Sequence, residues 1–206
     1  MDSLGPAAPG RIRAGRERYA AVVNKIRSDG WKVESYRFPL IADERRAGSA
    51  SPQRPALADV ATDREVWMLY SSFMRRIGPG LIWAYGPQAQ AIGVGTTGGG
   101  PDIPGSPQMP TLSWEELERD LGLAWRWCDD MLIHSLEGCV WQNFLPRLRS
   151  FDWDAPVTPP WQTLPARGLR AALTASLWAR GHPLPVLGAA GATATAGWLF
   201  ARGRRG

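Results

Sequence analysis

The sequence predicts a mainly α-helical fold, a helical bundle with a C-terminal hydrophobic tail helix. Three observations predict it. Apolar residues recur at i, i+3, i+4 and i+7 in several segments, which draws a stripe on one helix face. Two of those segments open with a capping box, a hydroxyl residue followed three positions later by a glutamate. No stretch shows the strict apolar–polar alternation of a half-buried strand. A chain of 206 residues with 44% apolar content suits one domain with tails.

Residues 1–15 carry no apolar run, so they read as a disordered N-terminus and not as a secretory signal. A helical domain is expected over 16–151. Its first helix spans Arg16 to Arg27, with Tyr19, Val22, Val23 and Ile26 on one face and Gly30 after its end. The second starts at the Thr62/Glu65 capping box. Val66, Tyr70, Phe73, Met74 and Ile77 form its stripe, and Gly78-Pro79 stops it. Residues 93–110, rich in glycine and proline, read as a flexible loop. They contain no GxxxxGK[ST] motif, and no strand–turn–helix context is expected around them.

The third helix begins at the Ser113/Glu116 capping box and continues through Leu117, Leu121, Trp125, Cys128, Met131 and Leu132 to Leu136, where Gly138 closes it. Its face is expected to pack on the second helix. A short apolar helix over Val140–Leu145 follows. Residues 152–165 are proline-rich and read as a hinge, leaving 166–206 as an amphipathic segment and candidate tail anchor. Leu184–Ala201 holds 18 residues without a charge, and Arg202, Arg204 and Arg205 follow. About 20 apolar helical residues cross a bilayer, so Leu184, Val186, Leu187, Trp198, Leu199 and Phe200 are the expected anchor residues.

Net charge is +5, but the arginines are dispersed among acids instead of forming a groove-sized patch, so nucleic acid is not an expected partner. Cys128 and Cys139 have neither CxxC nor metal-ligand spacing. His134 and His182 are the only histidines, and neither sits in a nucleophile–base or HExxH arrangement. Asp129 and Asp130 diverge by about 100° if helical and do not converge on one atom. No catalytic residue, metal or cofactor is therefore expected, and the chain reads as a non-enzymatic interaction protein.

Several fragments, in order along the chain, resemble the Bcl-2 family of apoptosis regulators. Phe38, Ile41, Ala42 and Asp43 resemble the end of a BH3 motif. Asp63–Trp67 is similar to the segment before BH1, and Trp83 stands where BH1 has its tryptophan. Gly138–Phe144, with Trp141, resembles the BH2 turn, and Thr158–Thr163 resembles the lead-in to the family's anchor. The resemblance implies a tail-anchored regulator acting by helix-in-groove binding at a cytosol-facing organelle membrane, such as the mitochondrial outer membrane. The partners it implies are amphipathic BH3-type helices or other family members. The implied groove is formed by Val66, Tyr70, Phe73, Trp83 and Trp141. In place of the family's arginine after the BH1 tryptophan stand Ala84 and Tyr85, which implies weak BH3 binding or a different partner. Two other expectations fit the composition: an accessory single-pass subunit of a membrane complex, and a soluble helical adaptor in the cytoplasm.

Overall fold

The computed structural model describes residues 8–48, 59–100 and 108–182. Four parallel strands, β1 (Glu34–Arg37), β2 (Arg64–Met68), β3 (Ala91–Gly95) and β4 (Met131–His134), lie side by side in chain order. Around them run α1 (Ala8–Ser28), α2 (Leu40–Ala47), α3 (Gly78–Tyr85), α4 (Trp114–Trp125), α5 (Leu136–Trp141), α6 (Leu145–Arg149) and α7 (Thr163–Gly181). The fold is α/β, which corrects the expectation of a mainly α bundle.

The misreading has a physical cause. Val66 and Tyr70 are four residues apart. That spacing returns to the same side both in a helix, at 400°, and in a strand, after two full pleats. The expected second helix is in fact strand β2 followed by a single 3₁₀ turn, Ser71–Met74. Likewise the expected third helix stops at Trp125; Met131 and Leu132 of its expected stripe open β4, and Leu136 opens α5. A short apolar run does not by itself distinguish a buried strand from a helix segment.

The register is continuous across the sheet. Trp67 stands opposite Arg37 and Ile92, and Ile92 opposite Met131. Trp67, Leu69, Ile92 and Val94 turn to one face and enter the core with Ile82, Leu117 and Leu121. Ile82, Ile92, Leu117 and Leu121 are at most 1% exposed, and each stabilises the fold by about 1.5–3 kcal/mol. Ala42 of α2, Ile82 of α3 and Leu117 of α4 all enter that core, so the three connecting helices collect on one face, as a sequential parallel sheet with crossovers of one hand requires. The opposite face carries Tyr36, Val66, Gly93 and Leu132, and Tyr36 on it is half exposed.

Helix α7 lies across α2 and α3. A Cβ added at Gly80 would come 2.2 Å from the Gln162 carbonyl oxygen, so only glycine lets the start of α3 meet the start of α7. Trp127 packs its indole directly on the Gly86 backbone and edge-on to Trp83, at 5.1 Å between centroids. That contact sets the turn after α4. In α1 the expected stripe is mostly on the surface: Val23 is buried, whereas Tyr19, Val22 and Ile26 are exposed.

The membrane expectation is corrected as well. Among the described residues no helix is long and apolar enough to cross a membrane, and α7 carries Arg167, Arg170 and Arg180. The expected anchor residues Leu184, Val186, Leu187, Trp198, Leu199 and Phe200 lie outside the described residues.

Candidate functional site at the carboxyl edge of the sheet

In open parallel sheets, ligands bind outside the carboxyl ends of the strands at a point where the strand order reverses; the sequential order here has no reversal, so the candidate site at this edge rests on its lining. Here that edge is built by Phe38 after β1, Leu69–Met74 after β2, Thr96 and Thr97 after β3, and His134 and Ser135 at the end of β4. The loop after β3 is the glycine-rich stretch. It does run from a strand to a helix, from β3 to α4, contrary to the sequence expectation.

The hydroxyls of this edge bond one another and the backbone. Ser72 Oγ donates to the Gly95 carbonyl at 3.2 Å and accepts from the Thr96 amide at 3.1 Å. Thr97 Oγ1 donates to the Ser135 carbonyl at 2.8 Å and accepts from the Ser135 amide at 2.9 Å. The Thr97 amide donates to the His134 carbonyl at 2.7 Å, and Gln142 Nε2 donates to the Thr97 carbonyl. Ser71 Oγ donates to Asp120, a fully buried carboxylate that also holds Arg119 Nε at 2.9 Å. Burial pushes the Asp120 carboxyl above the ordinary range, outweighing the pull of Arg119 and Ser71. These groups are all occupied within the fold and build the edge. Cys139 is buried with its Sγ 3.6 Å from Thr97 Oγ1, and burial pushes the Cys128 thiol up. Among the described residues, no group of three or more His, Cys, Asp or Glu is placed to hold a metal ion.

Beside this polar mesh lies an apolar pocket of about 110 Å³. Phe38, Pro39, Met68, Tyr70, Phe73 and Met74 wall it, and Leu81 of α3 lies beneath. Phe38, Phe73 and Met74 are each about half exposed, at 55%, 52% and 47%. The Tyr70 ring stands 6.3 Å from Phe73 and stacks on His134 at 5.9 Å. Burial pushes the Tyr70 hydroxyl pKa up. A Cβ on Gly93 would meet Tyr70 at 3.3 Å and Val66 at 3.5 Å, so the glycine leaves the trough in which Tyr70 lies.

The structure divides the residues singled out from the sequence. Tyr70 and Phe73 line the pocket, whereas Val66 is fully buried in β2 and does not reach it. Trp83 faces the core, 9% exposed, and Trp141 stands 73% exposed on α5, outside the pocket. Of the BH3-like residues, Phe38 lines the pocket, whereas Ile41, Ala42 and Asp43 are buried in α2. His182 stacks on Trp178 at the end of α7. Met68, Met74, Ser71, Thr97 and Asp120 were not singled out as site residues. The Ser71-Ser72 pair after an apolar run was a turn signal that pointed to the end of a strand.

No protein-family model matches the chain, and neither a curated protein nor a solved structure matches it.

Proposed function

We propose that this chain is a non-enzymatic interaction domain that binds an amphipathic helix of a protein partner by seating one apolar side chain in the carboxyl-edge pocket. The observation that carries this reading is the pocket's size together with its lining. A site for a drug-sized ligand or cofactor measures about 300–1,000 Å³. A pocket of about 110 Å³ is closer to the 150 Å³ cavity that holds a single benzene ring. It suits one leucine or phenylalanine side chain. Methionine walls repack around such an anchor with little strain, and a small buried cluster of aromatic contacts is how interface energy is concentrated. The half-buried ring of Tyr70, which fills the trough over Gly93, offers a second contact for the next turn of the helix, at the i, i+4 spacing of groove-bound helices. The surrounding hydroxyls are engaged within the fold, which supports binding over chemistry.

Methyl-resolved NMR on the full chain tests this, using an amphipathic peptide with leucine anchors at i and i+4 and its twin with alanine at both. Saturable shifts of the Met68 and Met74 methyls with the leucine peptide alone are expected, and Phe73→Ala is expected to abolish them. Identical responses to both peptides, or none, would overturn the reading. Shifts only with a small aromatic molecule would move the assignment to a ligand site.

A further inference from the structure

On the far side of α4, a cleft of about 480 Å³ lies between that helix and residues 151–160. It falls within the range of small-molecule sites. The segment is seated on Gly122, where an added Cβ would already be 3.3 Å from Val157 Cγ2. One wall is aromatic. Phe151 and Trp153 meet at 4.4 Å between centroids and 59°, and Trp125 backs Trp153 at 5.0 Å. Helix α4 contributes Glu115 and Glu118 to the lining, and Asp152 stands between the two rings on the segment.

No ion pair among the described residues involves these three carboxylates. Arg119, the basic group in the lining, has both Nε and Nη2 on the buried Asp120, at 2.9 and 2.8 Å. Elsewhere in the molecule guanidinium groups stand over Trp127, Trp114 and Tyr85. Among the described residues none stands over Trp153. The cleft therefore joins aromatic surface that no cation covers to carboxylates without an ion-pair partner among the described residues, although Arg147 draws on Glu115 from a distance and Asp152 accepts from the Asp154 amide at 3.1 Å.

We propose that this cleft binds an organic cation, an alkylammonium head held against Trp153 and faced by Glu118, Glu115 and Asp152. The ring quadrupole attracts a cation most strongly where water is thin, and tryptophan is the best such ring. A methylated ammonium fits better than a bare one, because its apolar surface packs on Phe151 and Trp153 while its charge reaches the carboxylates. A free quaternary amine and the side chain of a methylated lysine share this head.

Tryptophan fluorescence and calorimetric titration of the full chain test the site, with tetramethylammonium and, as an uncharged probe of similar head size, 3,3-dimethylbutanol, whose tert-butyl head has carbon in place of nitrogen. Saturable binding of the cation is expected, at least about tenfold tighter than the alcohol. Trp153→Ala should lose about tenfold and Trp153→Phe should retain most of the affinity, while Glu118→Gln weakens the cation and leaves the alcohol unchanged. Trp153→Ala also removes packing on Phe151 and Trp125, so circular dichroism checks its fold, and Glu118→Gln, an exposed position, tests the site independently of that packing. A trimethyl-lysine peptide binding more tightly than tetramethylammonium assigns the head to a side chain; a peptide binding no more tightly assigns it to a free amine. Equal affinity for cation and alcohol, or no saturation at millimolar cation, overturns the proposal.

Discussion

Arg170 on α7 closes over Asp43 on α2, with Nε 3.2 Å and Nη2 3.1 Å from the same carboxylate oxygen. Both side chains are buried. The Tyr85 hydroxyl donates to the other oxygen of Asp43, and the guanidinium carbon sits 3.8 Å from the centroid of the Tyr85 ring. One arginine thus ties α7 to α2 and α3. Breaking a buried pair from one side leaves a charge without compensation, which costs about 3–5 kcal/mol. Arg170→Met should lose about that much in urea unfolding. Arg170→Lys should recover little, because an ammonium makes neither the forked contact nor the stack on Tyr85.

Acid should weaken the fold through a second cluster. Arg45 donates to Glu65 at 2.8 Å and to Asp59 at 2.5 Å, and this holds both carboxyls below their ordinary range. A carboxyl with a depressed folded pKa stabilises the fold above its unfolded value, near 4, and that stabilisation disappears as pH falls through the folded value. Unfolding free energy measured against pH should therefore fall below about pH 4. In Arg45→Gln the fall should be shallower.

Phe73 separates binding from stability. It is half exposed, so Phe73→Ala should change stability by no more than about 0.5 kcal/mol, whereas Ile92→Ala, fully buried in β3, should cost about 2–5 kcal/mol. Denaturant midpoints of the two variants check this. A large loss for Phe73→Ala would show that its ring belongs to the core and not to the rim of the pocket.

Gly138 is where α5 meets the loop after β3. A Cβ there would come 2.2 Å from the Thr97 carbonyl carbon, which is backbone and cannot swing away. Gly138→Ala should therefore destabilise by about 1–3 kcal/mol and disturb the Thr97–Ser135 bonds. Thermal melting and the amide shifts of Thr97 and Ser135 measure both effects.

Ser113 caps α4. Its Oγ accepts from the Glu116 amide at 3.3 Å, and Glu116 accepts from the Ser113 amide at 2.9 Å. Ser113→Ala should cost about 1 kcal/mol, read from urea unfolding.

That cap was fully legible in the sequence, because a capping box is a contact between residues three apart. The start of α4 followed from it, as did the apolar face of Leu117 and Leu121. The identity of 64–74 and 131–134 was not legible. Val66 and Tyr70 share a face in either conformation, and strands of four or five residues are too short to display alternation. The Gly/Pro-rich stretch 93–110 was read as loop from its first residue, whereas Gly93, Val94 and Gly95 close strand β3 and are buried, which composition alone does not reveal. Of the site, Phe38, Tyr70 and Phe73 were singled out, on grounds that assumed a helix. Met68 and Met74 joined them only when β2 and the turn after it were placed.

What could be read from the chain alone was local, such as where α4 begins. Such features depend on neighbours a few residues apart, within reach of a single turn of chain. The tertiary structure decided which apolar segments became strands, and brought together Asp43 and Arg170, separated by 127 positions. It also placed Phe38 beside Phe73 around one pocket. Parallel pairing is non-local: each strand is satisfied by hydrogen bonds from another segment across a crossover, so the partner that makes a stretch a strand is never written in the stretch itself.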